Sequence, residues 1–380
     1  MTKKRRKNKF SSFLENPIDY TLLITILLLL TLGLIMVLSA SSPTSLSKSG
    51  NSYTYFVKQL IFAGIGICAM CIISNIDYRI YKKFYKISYI LAIILLALVL
   101  IFGKTVNNAK RWIYVTESLS FQPSEIVKFC MIIFYAGILT KNREDLKFFV
   151  KGWIKNLAYL VPVIGLLIVE PHLSASIVII CICGIMIWLA GCKLWQIIIP
   201  GFSIGIPTLL LAIWKIPRFS HGIKRITTFL DPWQDKLGAG WQVIQSLYAI
   251  GSGGLFGAGL GQSKQKYLYL PEPQNDFIFS VLAEEIGFVG CVFVIVLFGI
   301  FIWRGILIAM KAPDMFGSLV AIGITSMIGI QVIINIAVVT SSMPATGMPL
   351  PFFSYGGTAL FIILCQMGVL LNISRACRKT

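Results

Sequence analysis

Long apolar runs constrain this chain more than any other feature. A helix needs about 20 mostly apolar residues to cross the hydrocarbon core of a bilayer. Hydrophobic residues make up 57% of the chain and charged residues 13%, which is typical of a membrane protein and not of a soluble domain. We therefore predict an all-α integral membrane protein with about ten transmembrane helices. The predicted spans are 19–41, 55–74, 84–103, 121–140, 154–170, 173–190, 195–214, 277–303, 315–340 and 357–374.

The positions of lysine and arginine predict the orientation of these spans. Basic residues favour the cytoplasmic side of a membrane. They cluster in residues 1–18, in every second connection and in residues 375–380. With ten spans all these clusters fall on one side, so we expect residues 1–18 and 375–380 to be cytoplasmic tails that flank a membrane domain at 19–374. The net charge of +19 follows from this topology, and we predict no nucleic-acid partner.

Other classes of protein are disfavoured. The first apolar run is longer than the core of a secretory signal and nine further spans follow it, so we expect it to stay as a helix. The nine cysteines lie in or beside spans, which predicts neither a disulfide framework nor a metal site. The histidines, His172 and His221, are far apart in sequence, which disfavours a zinc hydrolase.

The segment 215–275 between spans seven and eight is predicted to be one long extracytoplasmic loop. Long ordered loops usually carry function. Basic residues on the outer side run against the positive-inside tendency, and they bind either anionic lipid headgroups or an anionic substrate such as a pyrophosphate. The basic residues of this loop are Lys215, Arg218, Lys224, Arg225, Lys236, Lys264 and Lys266.

Residues 241–261 of this loop predict an unusual backbone. An amphipathic stretch at 241–250 is followed by a glycine-rich, apolar run at 251–261 that lacks the Gly-Lys-Ser/Thr of a phosphate-binding loop. This order predicts an interfacial or re-entrant helix followed by close backbone packing. Because irregular backbone at membrane depth needs protein or a water-filled cavity around it, we expect a cavity that opens to the outside.

Asp276 ends the loop and directly precedes a long apolar run. Two prolines, Pro271 and Pro273, fix the path of the chain before it. A carboxylate at a bilayer boundary is costly unless it has a partner or a function. We therefore predict that Asp276 is a catalytic or binding carboxylate that faces the outer leaflet.

Two pairs of charged residues lie inside predicted spans. Glu125 and Lys128 are three residues apart, so they share one face of a helix. They either form an ion pair that lets a polar helix end enter the bilayer, or line the cavity with Lys128 orienting a phosphate or Glu125. Glu284 and Glu285 lie deeper in the eighth span, and we expect them to form helix–helix hydrogen bonds.

A combination of motifs makes this sequence similar to the SEDS proteins (shape, elongation, division and sporulation). The resemblance covers nearly the whole chain and is greater to the FtsW/SpoVE branch than to RodA. One departure is Glu170-Pro171-His172, where many relatives have Gln-Pro-Asp, so no functional acid is assigned at His172. The matching motifs are Arg111-Trp112, Gln122-Pro123-Ser124-Glu125 with Lys128, Asp231-Pro232-Trp233, Gly259-Leu260-Gly261-Gln262-Ser263 with Lys266, Leu270-Pro271-Glu272, Asp276-Phe277-Ile278-Phe279, Glu284-Glu285-Ile286-Gly287 and Pro344 to Gly357.

The resemblance implies a peptidoglycan glycosyltransferase that polymerises lipid II on the outer face of the cytoplasmic membrane. In this reaction a sugar hydroxyl attacks an anomeric carbon and expels a polyprenyl pyrophosphate. The hydroxyl needs a base and the leaving pyrophosphate needs cations. By resemblance Asp276 is the base. The implied substrate-binding residues are Arg111, Trp112, Glu125, Lys128, Arg225, Ser263 and Lys266.

Within this resemblance each side chain has an expected contact. Arg111, Lys128, Arg225 and Lys266 would contact phosphate or sugar phosphate, and Trp112 would stack on a sugar or on the lipid. Glu125 would orient Lys128 or help to hold a divalent cation, Mg²⁺ or Mn²⁺. The implied partners are a class B penicillin-binding protein, which supplies transpeptidation, and other division or sporulation membrane proteins.

Two alternatives stay open from the sequence. A lipid II flippase would need charged groups through the depth of the membrane, whereas the charges here cluster on the outer side. A scaffold that only recruits a transpeptidase would not need Asp276, Lys128 and Arg111, which are all present. The sequence does not separate roles in division, sporulation and elongation.

Overall fold

The computed structural model describes most of the chain. The described residues are 17–106, 109–114, 120–147, 152, 154–170, 172–193, 195, 228–236, 238, 240–267 and 269–377. The predicted span 195–214, except Trp195, and the predicted substrate contact Arg225 lie outside them. The number of ten spans and the full extent of the loop at 215–275 therefore remain predictions.

Seven helices in the described part of the chain are long and apolar enough to cross a membrane, and α6 and α7 are shorter apolar helices. Each predicted span within the described residues corresponds to one of these nine helices, so the fold class is confirmed. The helices are α1 (Tyr20–Ser49), α2 (Thr54–Ile73), α3 (Arg79–Lys83), α4 (Tyr85–Phe102), α5 (Pro123–Lys141), α6 (Lys155–Val169), α7 (Leu173–Leu189), α8 (Trp241–Gly253), α9 (Ile278–Lys311), α10 (Met315–Val339) and α11 (Gly357–Ala376).

Two helices are longer than predicted. The polar end of α1 resembles a loop in sequence, but two of its hydroxyl groups bond to carbonyls within the helix: Ser47 Oγ to Thr44 at 3.0 Å and Ser49 Oγ to Ser45 at 2.8 Å. The helix ends at Gly50, whose φ of 68° is suited to a C-terminal cap. Helix α9 continues past the predicted residue 303 to Lys311.

The helices form a core and a periphery. Helix α5 is mostly buried and packs against α4, α7 and α10, while α9 packs against α1, α8 and α10. Helices α2 and α4 are mostly exposed along their apolar length, as expected for helices that face lipid. Helix α11 packs closely against α2.

A small antiparallel sheet joins α4 to α5. Its strands, β1 (Lys104–Val106), β2 (Ala109–Tyr114) and β3 (Ser120–Phe121), pair in the order β1-β2-β3. Trp112 pairs with Lys104, and Ile113 pairs with Phe121. The strands are too short for the sequence pattern to predict, yet they hold Arg111 and Trp112 next to the start of α5.

The glycine-rich run packs backbone to backbone against a break in α9. Gly287 interrupts that helix with φ 73° and ψ −171°. The amide of Ala258 donates to the Glu284 carbonyl at 2.9 Å, and the amide of Phe288 donates to the Gly254 carbonyl at 2.9 Å. A Cβ atom at Gly257 would lie 2.2 Å from the Glu285 carbonyl oxygen. The close backbone packing predicted from the glycines is confirmed.

Candidate functional site

A cavity of about 750 Å³ opens where the N-terminal ends of α5, α9 and α11 meet the small sheet. We call it the polar cavity, because charged and amide side chains form much of its wall. These polar side chains are Lys58, Arg111, Gln122, Glu125, His172, Gln242, Glu272, Asn275, Asp276 and Gln331. Trp112 and Tyr114 of β2 also line the cavity.

Asp276 is half-buried in the cavity wall and lies two residues before α9 begins. Its carbonyl accepts a hydrogen bond of 2.8 Å from Asn335 Nδ2 of α10, and the same amide group donates to the Met348 carbonyl at 2.7 Å. A Cβ atom at Gly347 would lie 3.3 Å from Asp276 Oδ2, so only glycine leaves ordinary space beside the carboxylate. The position of Asp276 is therefore set by α10 and by the segment before α11.

The segment that leads into α11 is tied to the residues around Asp276. Ser354 Oγ donates to the Asn275 carbonyl at 2.7 Å, and the Tyr355 amide donates to the Gln274 carbonyl at 2.8 Å. On its other side, Gln59 of α2 accepts from the Gly356 amide at 3.1 Å. These bonds join the chain before α9 to the start of α11 and to α2.

Glu125 and Lys128 form a buried ion pair at the start of α5. Lys128 Nζ lies 2.8 Å from each carboxylate oxygen of Glu125. The carboxylate belongs to the cavity wall, while the Lys128 side chain is only 1% exposed and lies behind it. Glu125 is in the first helical turn, where the helix dipole favours a negative charge. The ion pair is therefore formed and Glu125 lines the cavity, while the predicted contact of Lys128 with a phosphate stays a prediction.

His172 also reaches the polar cavity, between α6 and α7. Its Nε2 lies 3.2 Å from Gln122 Nε2, and its Nδ1 has no hydrogen-bond partner among the described residues. Burial, with smaller contributions from the cations Arg111 and Lys128, holds the pKa of His172 well below its ordinary value. The imidazole is therefore neutral at pH 7, which suits a hydrogen-bonding role in the cavity and not a charge.

Ser263 and Lys266 lie elsewhere, in a group that we call the closed cluster, defined by Ser39, Ser263, Lys266, Glu284 and Glu285. Lys266 Nζ is 2.8 Å from Glu285 Oε1 and 2.9 Å from Ser39 Oγ. Ser263 Oγ donates to Glu284 Oε2 at 2.5 Å, and the Lys264 amide donates to Glu284 Oε1 at 2.8 Å. Both glutamates therefore bind the loop to α9. The predicted helix–helix hydrogen bond is present for Glu285, which accepts from Ser39 Oγ of α1, whereas Glu284 bonds to the loop.

The structure brings together five of the predicted site residues and separates two. Arg111, Trp112, Glu125 and Asp276 line the polar cavity, with Lys128 directly behind Glu125. Ser263 and Lys266 are buried in the closed cluster and do not line the cavity. Their predicted contact with substrate stays a prediction.

Sequence reasoning missed Lys58, Gln331 and the cavity position of His172. Lys58 lies in the predicted span 55–74, and Gln331 in the span 315–340. Polar residues inside a predicted span are costly unless they face a cavity or a partner, and this signal could have found both.

In the described part of the chain no three His, Cys, Asp or Glu side chains are grouped so that they could hold a metal ion by themselves. Glu125, Glu272 and Asp276 are the carboxylates in the wall of the polar cavity. Glu272 is exposed and accepts from Asn275 Nδ2 at 2.7 Å, and Glu125 is bound to Lys128. This set suits a Mg²⁺ held by one or two carboxylates together with substrate phosphates better than an all-protein site.

Comparisons with known proteins agree with this architecture. Residues 20–379 match the family described as cell cycle protein, which comprises FtsW, RodA and SpoVE. Stage V sporulation protein E of Bacillus subtilis is 46% identical over 362 residues, which cover 95% of this chain and 98% of that protein. A probable peptidoglycan glycosyltransferase FtsW of Trichlorobacter lovleyi is 39% identical over 359 residues, which cover 94% and 93%.

Solved structures have the same fold. A chain of a peptidoglycan synthase complex, described for its structural coordination of polymerization and crosslinking, superposes with a TM-score of 0.77. It is 28% identical, and the match covers 94% of this chain and 98% of that one. The rod shape determining protein RodA of Thermus thermophilus superposes with a TM-score of 0.70 at 25% identity, over 96% and 98% of the two chains.

The fold defines a multi-pass membrane protein with a polar cavity at one end of its helical core. Together with the match over 20–379, this places the chain in the FtsW/RodA/SpoVE family.

Proposed function

We propose that this protein is a peptidoglycan glycosyltransferase that polymerises lipid II during cell division or sporulation. The main observation behind this proposal is the polar cavity, in which Asp276, Glu125, Arg111 and Lys58 line one space of about 750 Å³. The relatives named FtsW and SpoVE support the same class of enzyme. Both termini are cytoplasmic in this proposal, so the polar cavity opens to the outside.

Asp276 acts as the general base. It takes the proton from the C4 hydroxyl of one disaccharide as the hydroxyl oxygen bonds to the anomeric carbon of the other substrate. The bond from that carbon to the pyrophosphate oxygen breaks, and the polyprenyl pyrophosphate leaves with the electron pair. A positioned base of this kind contributes about 10²–10⁴-fold in rate. Fixation of Asp276 by Asn335 and by the segment before α11 serves this role.

Cations in the cavity wall stabilise the leaving pyrophosphate. Arg111 and Lys58 line the cavity and can approach phosphate oxygens directly. Lys128 is bound through Nζ to both oxygens of Glu125, so it acts by fixing that carboxylate. Glu125 then accepts from a substrate hydroxyl or amide, and Trp112 stacks on a sugar ring or on the lipid.

The polyprenyl chain has a route from the bilayer. Helix α2 packs on α1 and α11, while α4 packs on α5 and α6, and no substantial contact joins α2 to α4. Lys58 and Phe62 of α2 line the polar cavity. An isoprenoid tail can therefore enter along the lipid-facing side of α2 while its pyrophosphate stays in the cavity.

A divalent cation and a transpeptidase complete the proposal. Glu125 would help to hold Mg²⁺ or Mn²⁺ together with the substrate, and the ion would supply charge neutralisation of the leaving group. A structural relative belongs to a complex that coordinates polymerization and crosslinking, which supports a penicillin-binding protein as partner. We propose a class B penicillin-binding protein.

The test is formation of glycan chains from lipid II by the purified protein, with and without its cognate transpeptidase. Asp276→Asn should lower the rate at least 100-fold while it keeps the fold, because the amide cannot accept the proton. The matched control is Glu144→Gln, an exposed acid in the turn after α5, which should leave the rate unchanged.

Two outcomes would overturn the proposal. Equal chain formation by wild type and a folded Asp276→Asn variant would show that Asp276 is not the general base. No chains under either condition, together with transport of labelled lipid II across vesicles that hold the protein, would make it a flippase.

A further inference from the structure

A second pocket lies at the opposite end of the helical core from the polar cavity. It has a volume of about 320 Å³ and lies between the first residues of α1 and the last turns of α9 and α11. Along α11 the two sites are about 25 Å apart, from Thr358 to Arg375 at 1.5 Å per residue. The second pocket therefore takes no direct part in the chemistry proposed for Asp276.

Positive charge is in excess in this second pocket. In the described part of the chain Arg304, Lys311 and Arg375 line it, together with the carboxylate of Asp19. Asp19 caps α1 by accepting from the Leu22 amide at 3.0 Å, and its other oxygen binds the Arg304 guanidinium, with Nε at 3.0 Å. Among the described residues that line it, three cations accompany one carboxylate, and we call this site the basic pocket.

The helix dipoles explain only part of this charge. Lys311 and Arg375 are in the last turns of α9 and α11, where a cation interacts favourably with the dipole. Arg304, however, lies about two turns before the end of α9. Dipole interactions also do not require the three side chains to converge on one cavity, as they do here.

The surroundings of the basic pocket point to a lipid ligand. Ile18, Leu307 and Ile308 give it apolar walls beside the cations. Tyr20, which lines the pocket, and Trp303, whose ring lies 5.8 Å from the Arg304 guanidinium, are both exposed. Exposed Tyr and Trp beside Arg and Lys are typical of the level of the lipid headgroups. Basic pockets between spanning helices bind anionic headgroups.

We propose that the basic pocket binds the headgroup phosphate of an anionic phospholipid, with the acyl chains along the apolar outer faces of α1 and α9. A free phosphate would contact the same cations but would make no contact with the apolar wall. The site rests on neither Asp276 nor lipid II.

The test measures binding of labelled phosphatidylglycerol to the purified full-length protein in neutral detergent micelles. The variant Lys311→Gln with Arg375→Gln keeps the Arg304–Asp19 pair and removes two cations. Because each basic residue near a membrane surface contributes about 1 kcal/mol, binding should weaken about 30-fold. Lys311→Arg with Arg375→Lys conserves the charge and should stay within about threefold of wild type.

A matched control removes the same charge from the same face. Lys82→Gln with Lys83→Gln changes two exposed lysines of α3, and Asn75 just before α3 accepts a hydrogen bond from Arg375 at 2.8 Å. This control should bind phosphatidylglycerol as wild type does. Melting temperatures in phosphatidylcholine micelles should stay within a few degrees of wild type for all variants, because the lost dipole contacts are small, and this shows that they are folded.

Three results would overturn the proposal. Equal loss in the Lys82/Lys83 control would mean general attraction to the basic face. Unchanged affinity in the folded Lys311/Arg375 variant would mean that the pocket binds no headgroup. Competition by inorganic phosphate at millimolar concentration would make the ligand a free anion. Because binding is read without lipid II, a failure of polymerisation would leave this result unaffected.

Discussion

Two buried lysine–glutamate ion pairs, Lys128–Glu125 and Lys266–Glu285, look alike in chemistry and differ in surroundings. Their Nζ–O distances are both 2.8 Å, and both lysines are nearly inaccessible. Glu285 also accepts from Ser39 Oγ at 2.6 Å and from the Ser263 amide at 3.4 Å. Glu125 instead presents its carboxylate to the polar cavity.

The surroundings of the two pairs distinguish a structural ion pair from a functional one. A buried pair is favourable only when further hydrogen bonds satisfy its remaining lone pairs. The closed cluster meets this condition from within the protein, by binding the loop at 263–266 to α1 and α9. In the Lys128–Glu125 pair, the remaining lone pairs of Glu125 face a cavity that a substrate can enter. Loss of the first should mainly cost stability, and loss of the second should mainly cost activity.

The largest effect is expected from Lys266→Met. The substitution leaves the Glu285 carboxylate buried without its cation, which should lower the free energy of unfolding by about 3–5 kcal/mol. Thermal unfolding in detergent micelles measures this loss. Lys264→Met, on an exposed lysine two residues earlier, is the control and should unfold as wild type does. A Lys266→Met protein that is stable but no longer polymerises lipid II would show that Lys266 binds substrate, as the resemblance implied.

The backbone under the closed cluster gives the next largest effect. Gly257→Ala puts a Cβ atom against the Glu285 carbonyl at 2.2 Å on a residue with φ +80°, and strain plus overpacking should cost about 3 kcal/mol. Gly50→Ala has a similar φ of +68° but open space, and should cost about 1 kcal/mol. Equal melting temperatures for the two variants would show that the loop backbone shifts at little cost to make room for the Cβ atom.

The same two pairs show what the sequence could predict. The apolar runs predicted every long helix in the described residues, because lipid demands about 20 apolar residues whatever the partners are. Glu125 and Lys128 could be paired from their helical spacing alone. Lys266 and Glu285 lie nineteen residues apart, with the end of the loop and the start of α9 between them, so their pairing depends on a backbone path that no local pattern encodes. The position of Lys58 was missed because one lysine in an apolar run has little effect on its hydropathy.

The cavity pair is tested by Lys128→Met. Without the cation Glu125 loses the contact that fixes both its oxygens, and the rate of polymerisation should fall about 100-fold, as for loss of one preorganised polar contact. The melting temperature should fall less than in Lys266→Met, because water in the cavity can donate hydrogen bonds to Glu125. Lys141→Met at the exposed end of α5 is the control. A rate within a few-fold of wild type would make the pair structural, like its counterpart.

The smallest effect is expected from Ser39→Ala. This hydroxyl donates to Glu285 and accepts from Lys266, but both groups keep each other, and Glu285 keeps the Ser263 amide. Loss of one hydrogen bond to a charged group should cost about 1.5 kcal/mol, and polymerisation at a temperature well below unfolding should be unchanged. Ser47→Ala, on the exposed end of α1, should change neither quantity. A loss of 3 kcal/mol or more in Ser39→Ala would mean that the serine, and not the ion pair, holds α1 against α9.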